Sequence, residues 1–535
     1  MSKPFKPDVV LGKVKKAGKE RDWVRACEHL HQLLQQYPGN NRAKKALQEL
    51  RGVALPDLLS QAQTLLASKE LAQAESALRA AFFLSLGDLD IGQRLAQIQL
   101  EMGQAPAASD TASKLLESHP REINILNIKA RALREMSQPE QSRKYLMEAL
   151  AVSPEDPKTL NNLGILERSL GKRSAAVNYY QRALNIEPNN VTLHQNLSQV
   201  IDYRDTDVHL EEMLGLLSSV DQKDPANASL FFALFKALDE KDRRAEAFDF
   251  LEKGNRLAAS LASFDFQKHM IPFALTKALF SNAGAFEKPE HGSFRPIFIT
   301  GLPRSGTSLM ERILSQAEDV QACGELAVVP LAVSRLLRRI MDRPDKTLGT
   351  QDIAQLRAEL LNAFARYAND GSRLIDKMPL NFRWIGYISA ALPEARIIHI
   401  SRDPLPVAWS LFKHMFQSSG NNFVHTAQDI SRFMVLHSNY LSLWKSLNIG
   451  QMVDIKYEDL ITDLEATTKQ VALATGLPWT ERWLKPERAT NQVLTASADQ
   501  VRKPVYANSN QDWKRYEAQL APLQQSLRAV GILDD

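Results

Sequence analysis

The apolar run IFIT leads directly into GLPRSGTSLMERIL, from Gly301 to Leu314. A strand followed by a glycine-containing turn and an amphipathic helix aims successive backbone N–H groups and the positive helix end at one point, which is how a phosphate is held. Around Gly306 in that turn, Arg304 supplies a planar cationic fork, and Ser305, Thr307 and Ser308 supply hydroxyls for phosphate oxygens. Gly301, Gly306 and Ser308 keep the spacing of the loop that binds nucleoside triphosphates, but Thr307 stands where that loop needs a lysine. The substitution argues against ATP or GTP. A second strand-like run, ARIIHIS, ends next to Arg402, and Ser410 follows across a segment punctuated by Pro404 and Pro406. Those prolines favour a loop in which Arg402 and Ser410 meet around another phosphate. Two separated phosphate sites are more specific than one.

The elements that must position these groups are read from the rest of the chain. Its 535 residues are 44% apolar, with 25 prolines and 23 glycines, an ordinary globular composition. The 66 basic and 62 acidic residues leave a net charge of +4. That excludes a broad nucleic-acid-binding face while permitting a local site for a small polyanion. Cys27 and Cys323 are too far apart in sequence for a CxxC motif or a disulfide framework, which fits a reducing, cytoplasmic setting. The basic N-terminus, MSKPFKPDVVLGKVKKAGKERDW, precedes no long apolar run and is expected to be a solvated tail; no segment is long and apolar enough to predict a membrane span.

Pro120, Pro154 and Pro188 recur every 34 residues. In NNLGILERSLGKRSAAVNYYQRALNIEP, Leu163 and Gly164 fall on one helix and Ala176, Tyr180 and Ala183 on the next, with Gly171 in the turn between. Small residues let paired helices approach, and the aromatic fills the space beside them. The pattern resembles the tetratricopeptide repeat. Ala130, Tyr145, Ala149 and Pro154 match it in the preceding unit, and fainter copies run through Ala96, Ala108 and Pro120, through Ala62, Ala74, Ala81 and Leu86, and through Ala26 and Pro38. After Pro188 the next proline in register is Pro225, 37 residues on, which implies a three-residue insertion near TDVHLEEMLG. Ala233 and Ala245 are expected to hold the small positions of a last pair. An all-α solenoid over 15–262 is therefore expected, then a helical connector and linker over 263–295 and a catalytic domain over 296–530. A solenoid presents a concave face, which suits a protein or peptide partner or a second copy of the chain as a homodimer.

The phosphate loops resemble the sulfotransferase family, particularly its protein-tyrosine sulfotransferase branch and bacterial relatives with tetratricopeptide arrays. The resemblance implies a three-layer, P-loop-like α/β domain with a largely parallel sheet. It also implies 3'-phosphoadenosine 5'-phosphosulfate as donor substrate and 3'-phosphoadenosine 5'-phosphate as product. The PRSGTS segment, Pro303 to Ser308, then takes the 5'-phosphosulfate, Arg402 and Ser410 take the 3'-phosphate, and Tyr457 in YEDL lies beside the nucleotide. The family's catalytic glutamate falls on Glu325 in ACGEL, its lysine on Lys377 in DKMP, and its serine on Ser497 before DQV. Sulfonate transfer to a hydroxyl needs a base at the acceptor and cations around the leaving oxygen, roles that suit Glu325 and Lys377, with Ser497 bonding the transfer region. No metal is expected, and the histidines show no ligand pattern.

Two departures stand out. The first arginine after CGE is Arg335, which leaves the acceptor open between a protein tyrosine, a carbohydrate and a smaller hydroxyl compound; and Asp512, not a basic residue, precedes Trp513. The competing readings are a protein-binding scaffold with an inactive nucleotide domain and an atypical P-loop kinase, which would need magnesium and ATP.

Overall fold

The computed structural model describes residues 6–261, 264–281, 287, 289–368, 372–416, 419–449, 451–495, 498–502 and 510–534. The chain divides into two compact units, Met1–Pro154 and Glu155–Asp535.

The first unit is helical. Its paired helices include Leu89–Glu101 with Ala105–Ser118 and Ile123–Glu135 with Pro139–Val152. The small positions read from the repeat, Ala26, Ala74, Ala81, Ala96, Ala108, Ala130 and Ala149, are fully buried, so adjacent helices approach closely there. The N-terminal segment is not a solvated tail. Residues Pro7–Lys19 form a helix whose Val10, Leu11, Val14 and Ala17 are buried. Their three- and four-residue spacing makes an apolar stripe, and the lysines occupy the remaining faces. The stripe packs on Leu30, Leu33 and Ala43.

The second unit begins with more paired helices, Pro157–Ser169 with Arg173–Ile186 and Ala228–Glu240 with Arg244–Leu261. A Cβ on Gly164 would stand 2.4 Å from the Tyr180 ring, so that glycine is required for the close pairing of the first two. In the last pair Ala233 is buried as expected, but Ala245 is exposed and Ala247 takes the inward position. The inward face of that helix runs through Ala247, Phe248, Leu251 and Asn255, one to four residues apart, and Ala245 falls off it. These helices pack in the same unit as the sheet: Asn255 donates to the Phe412 carbonyl at 3.0 Å, and Tyr516 donates to Asp239 at 2.8 Å. The unit boundary thus falls inside the 15–262 span of the repeat pattern.

Five parallel strands make the sheet of the described residues: β1 (Ile297–Gly301), β2 (Val320–Ala322), β3 (Arg373–Asp376), β4 (Arg396–Ser401) and β5 (Met452–Lys456), in the order β2-β3-β1-β4-β5. Every residue of β1 is buried, as a central strand covered on both faces requires. Ile297 and Ile299 join Ile375, Ile398 and Ile400 in a core with Met310, Ile313 and Val471 on one face; Phe298 meets Phe364 on the other. The domain is therefore a three-layer α/β sandwich. β2 and β3 lie to one side of β1 and β4 and β5 to the other, and ligands of such sheets bind at the carboxyl ends of the strands where the winding reverses.

Candidate active site

The expected site residues collect at that carboxyl edge because each directly follows a strand. Arg304 comes after β1, Glu325 after β2, Lys377 after β3, Arg402 after β4 and Tyr457 after β5. The loop after β1 turns through left-handed backbone at Arg304 (φ 71°) and Gly306 (φ 109°) before entering the helix Thr307–Leu314. Successive N–H groups in such a turn form an anion-binding concavity. A Cβ on Gly306 would stand 2.4 Å from Tyr457, so the loop can close over that ring only with glycine.

The two phosphate motifs join. Arg304 Nε donates to Ser410 Oγ at 2.9 Å, and Arg402 Nη1 donates to the Arg304 carbonyl at 3.0 Å. The Arg402 guanidinium also lies over the Tyr457 ring, 4.2 Å from its centre, and bonds Asn510 at 2.8 Å. Tyr457 therefore backs both Gly306 and Arg402. Ser305 is buried with no hydrogen-bond partner for its hydroxyl among the described residues, and Ser308 meets Thr495 at 3.1 Å. Thr307 is buried at the helix start. The charge here is concentrated. Burial lowers the pKa of His414 well below its ordinary value, and Arg304 and Lys413 lower it further, so its imidazole is neutral beside the Ser410 carbonyl. Asp512, the departure noted near Trp513, sits 3.8 Å from the Lys413 ammonium.

Glu325 and Lys377 are brought into contact: Lys377 Nζ donates to Glu325 Oε1 at 2.7 Å. The lysine is fully buried, whereas the Glu325 side chain is 43% exposed and faces outward. Two buried carboxyls that sequence reasoning missed bracket this pair. Glu311 accepts from Gly324 N at 2.9 Å, and Asp376 accepts from Leu326 N at 3.3 Å, so the backbone on each side of Glu325 is held. Burial raises the pKa of both carboxyls, Asp376 to about 8, while the Lys377 charge draws them down. Asp376 also accepts from Asn381 Nδ2 at 3.1 Å. Ser497 lies outside the described residues. Arg312, equally unforeseen, is buried and donates to the carbonyls of Pro486, at 2.7 Å, Glu487, at 3.2 Å, and Ala489, fixing the segment that leads to Thr495. The available signal was the pair Glu311–Arg312 inside an otherwise apolar helix.

Residues 296–481 match the sulfotransferase family and residues 121–188 the tetratricopeptide repeat. An uncharacterized protein of Aquifex aeolicus is 29% identical over 432 residues, covering 77% of this chain and 56% of that protein. The protein-tyrosine sulfotransferase of Drosophila melanogaster is 24% identical over 237 residues, covering 41% of this chain and 46% of its own length. The chain thus spans about half the length of these curated relatives. The sulfotransferase domain from the curacin biosynthetic pathway aligns at 16% identity with a TM-score of 0.32, covering 45% of this chain and 97% of that one. No described helix is long and apolar enough to cross a membrane. By its family match the region 296–481, which includes the five strands of the parallel sheet, is similar to the sulfotransferase family, and 121–188 is similar to tetratricopeptide repeats.

Proposed function

We propose that this protein transfers a sulfonate group from 3'-phosphoadenosine 5'-phosphosulfate to an acceptor hydroxyl. The observation that carries the reading is the 2.7 Å contact between buried Lys377 and outward-facing Glu325, on the sheet edge that also bears the Arg304–Ser410–Arg402 cluster. Glu325 takes the acceptor proton as the acceptor oxygen forms its bond to sulfur. The bond from sulfur to the 5'-phosphate oxygen breaks, and Lys377 meets the charge left on that oxygen. Arg304 and the residues Ser305, Gly306, Thr307 and Ser308 hold the 5' end of the donor, with the Ser305 hydroxyl, which has no partner among the described residues, ready to donate. Arg402, Ser410 and Tyr457 hold the 3'-phosphate side, and Ser497 is assigned to the transfer region. The acceptor is a protein tyrosine or a carbohydrate hydroxyl, and the helices of 15–262 recruit a protein or peptide by their concave face.

The test is donor-dependent release of 3'-phosphoadenosine 5'-phosphate in the presence of a tyrosine-peptide and glycan acceptor library, with acceptors scored by mass for the gain of one SO₃. E325A abolishing transfer while retaining product-nucleotide binding supports the assignment. Full transfer by E325A, or turnover with ATP in place of the sulfonate donor, overturns it.

A further inference from the structure

The 34-residue period breaks after Pro188, and the break carries buried imidazoles. Helices open at residues 89, 123, 157 and 191 in steps of 34, but the next pair opens at 228. Within that stretch the helix Val191–Ser198 is short, and the helix Val208–Leu216 follows after an irregular segment. In the neighbouring pairs Ala130, Ala149, Ala176 and Ala183 are fully buried. In this stretch His194 and His209 are buried, 3% and 4% exposed.

We propose that His194, His209 and Glu212 form a binding site for one zinc-type divalent transition-metal ion, independent of the sulfonate-transfer chemistry. His194 Nδ1 and His209 Nε2 lie 3.0 Å apart, and the two ring planes are inclined by 14°. Two nitrogens on a tetrahedral zinc at about 2.05 Å stand about 3.3 Å apart, so a small opening of this pair admits the ion. His209 and Glu212 lie one turn apart on the same helix, and a carboxylate oxygen of Glu212 completes a set of three ligand atoms within 4.8 Å of one another. A fourth position remains for water.

The outer nitrogens have the partners that metal-binding imidazoles need. His194 Nε2 lies 2.8 Å from the Pro188 carbonyl, which can only accept, so the proton is on Nε2 and the Nδ1 lone pair faces His209. His209 Nδ1 lies 2.6 Å from the Tyr203 hydroxyl. Such second partners fix ring orientation and raise ligand basicity. Tyr203 is itself held, its backbone N–H donating to Glu240 at 2.9 Å. Glu240 also pairs with Lys236 at 2.9 Å, which offsets the nearest cation. When the ion takes His209 Nε2, the ring proton moves to Nδ1, where the Tyr203 oxygen accepts it.

The experiment uses the tag-free full-length chain, stripped with a chelator and titrated with zinc by calorimetry and with cobalt by visible absorption. The expected result is one equivalent bound and a four-coordinate cobalt spectrum. Glu212 is exposed, so E212A leaves the metal-free melting curve unchanged while lowering affinity at least about tenfold, and Y203F lowers it about 10- to 100-fold. No stoichiometric binding by the folded chain overturns the site. So does binding that E212A and H194Q leave unchanged.

Discussion

Replacing Lys377 by methionine separates the proposed chemistry from the fold. The ammonium is fully buried, donates to Glu325 at 2.7 Å and draws down the carboxyls of Glu311 and Asp376. Methionine preserves the length and apolar stem of the side chain, so no cavity opens. Without the cation, the pKa values of Glu311 and Asp376 rise further and both carboxyls are held protonated, leaving no unpaired charge in the interior. Glu325, 43% exposed, regains water. The stability cost is that of one hydrogen bond exchanged for solvation, about 1 kcal/mol. The catalytic cost is much larger. A preorganised donor at a developing oxyanion contributes about 2.7–4 kcal/mol, a factor of about 10² to 10³ in kcat, and full burial places Lys377 where such a charge acts most strongly. K377M should therefore lose about that factor in single-turnover release of 3'-phosphoadenosine 5'-phosphate, with product-nucleotide binding and melting temperature near wild type. A loss smaller than about tenfold refutes the role of Lys377. A collapse of folding together with catalysis refutes the separation.

Gly306→Ala places a Cβ 2.4 Å from Tyr457 at a backbone φ of 109°; it should cost about 1–3 kcal/mol in thermal unfolding and abolish nucleotide binding. Wild-type binding by G306A would contradict the cradle. Glu311→Gln keeps an acceptor for Gly324 N, whereas Glu311→Ala leaves that N–H bare at a cost of about 1–3 kcal/mol, so turnover should survive in E311Q and fall in E311A. Equal kcat values for E311A and wild type would show that the bracket does not position Glu325. Asp376 titrates near 8 in the folded chain and near 3.8 otherwise, so the native state holds the extra proton and loses stability as pH rises from about 4 to 8. Asp376→Asn removes that loss, and Asn381 Oδ1, which has no partner among the described residues, can turn to accept from the new amide. Urea titrations across the window should show a flatter pH dependence in D376N; parallel slopes would exclude a raised Asp376.

The loop and the repeats were legible because their backbones demand particular residues. Gly306 is fixed by its φ and by Tyr457, Gly164 by Tyr180, and each appears in sequence as a glycine at a set spacing. The strands before Arg304 and Arg402 were likewise marked by apolar runs, whereas the order β2-β3-β1-β4-β5 is set by pairing between distant segments. What escaped was anything decided by a distant neighbour. Lysines at the N-terminus suggested a solvated tail, although Val10, Leu11, Val14 and Ala17 already traced an apolar stripe; charge density outweighed period. The repeat pattern in 157–261 says nothing of whether its helices join the first unit or the sheet, since Asn255–Phe412 and Tyr516–Asp239 are contacts between residues far apart in sequence. His194 and His209 stay ordinary histidines until the insertion between them is folded.

The helix Thr307–Leu314 shows why the missed residues matter to the site. All eight of its residues are buried, so its charged groups cannot be surface decoration; each must have a partner. Ser308 faces Thr495, Glu311 takes Gly324 N next to Glu325, and Arg312 gathers the carbonyls of Pro486, Glu487 and Ala489. Eight residues at 1.5 Å each make an element about 12 Å long, short enough to move as one body. The phosphate loop that enters this helix, the backbone beside Glu325 and the chain leading to Thr495 are consequently registered to a single rigid piece. Any ligand that seats on Arg304 and Gly306 is thereby set at a fixed offset from the Glu325–Lys377 pair, and offsets of this kind are what transfer between two bound groups requires.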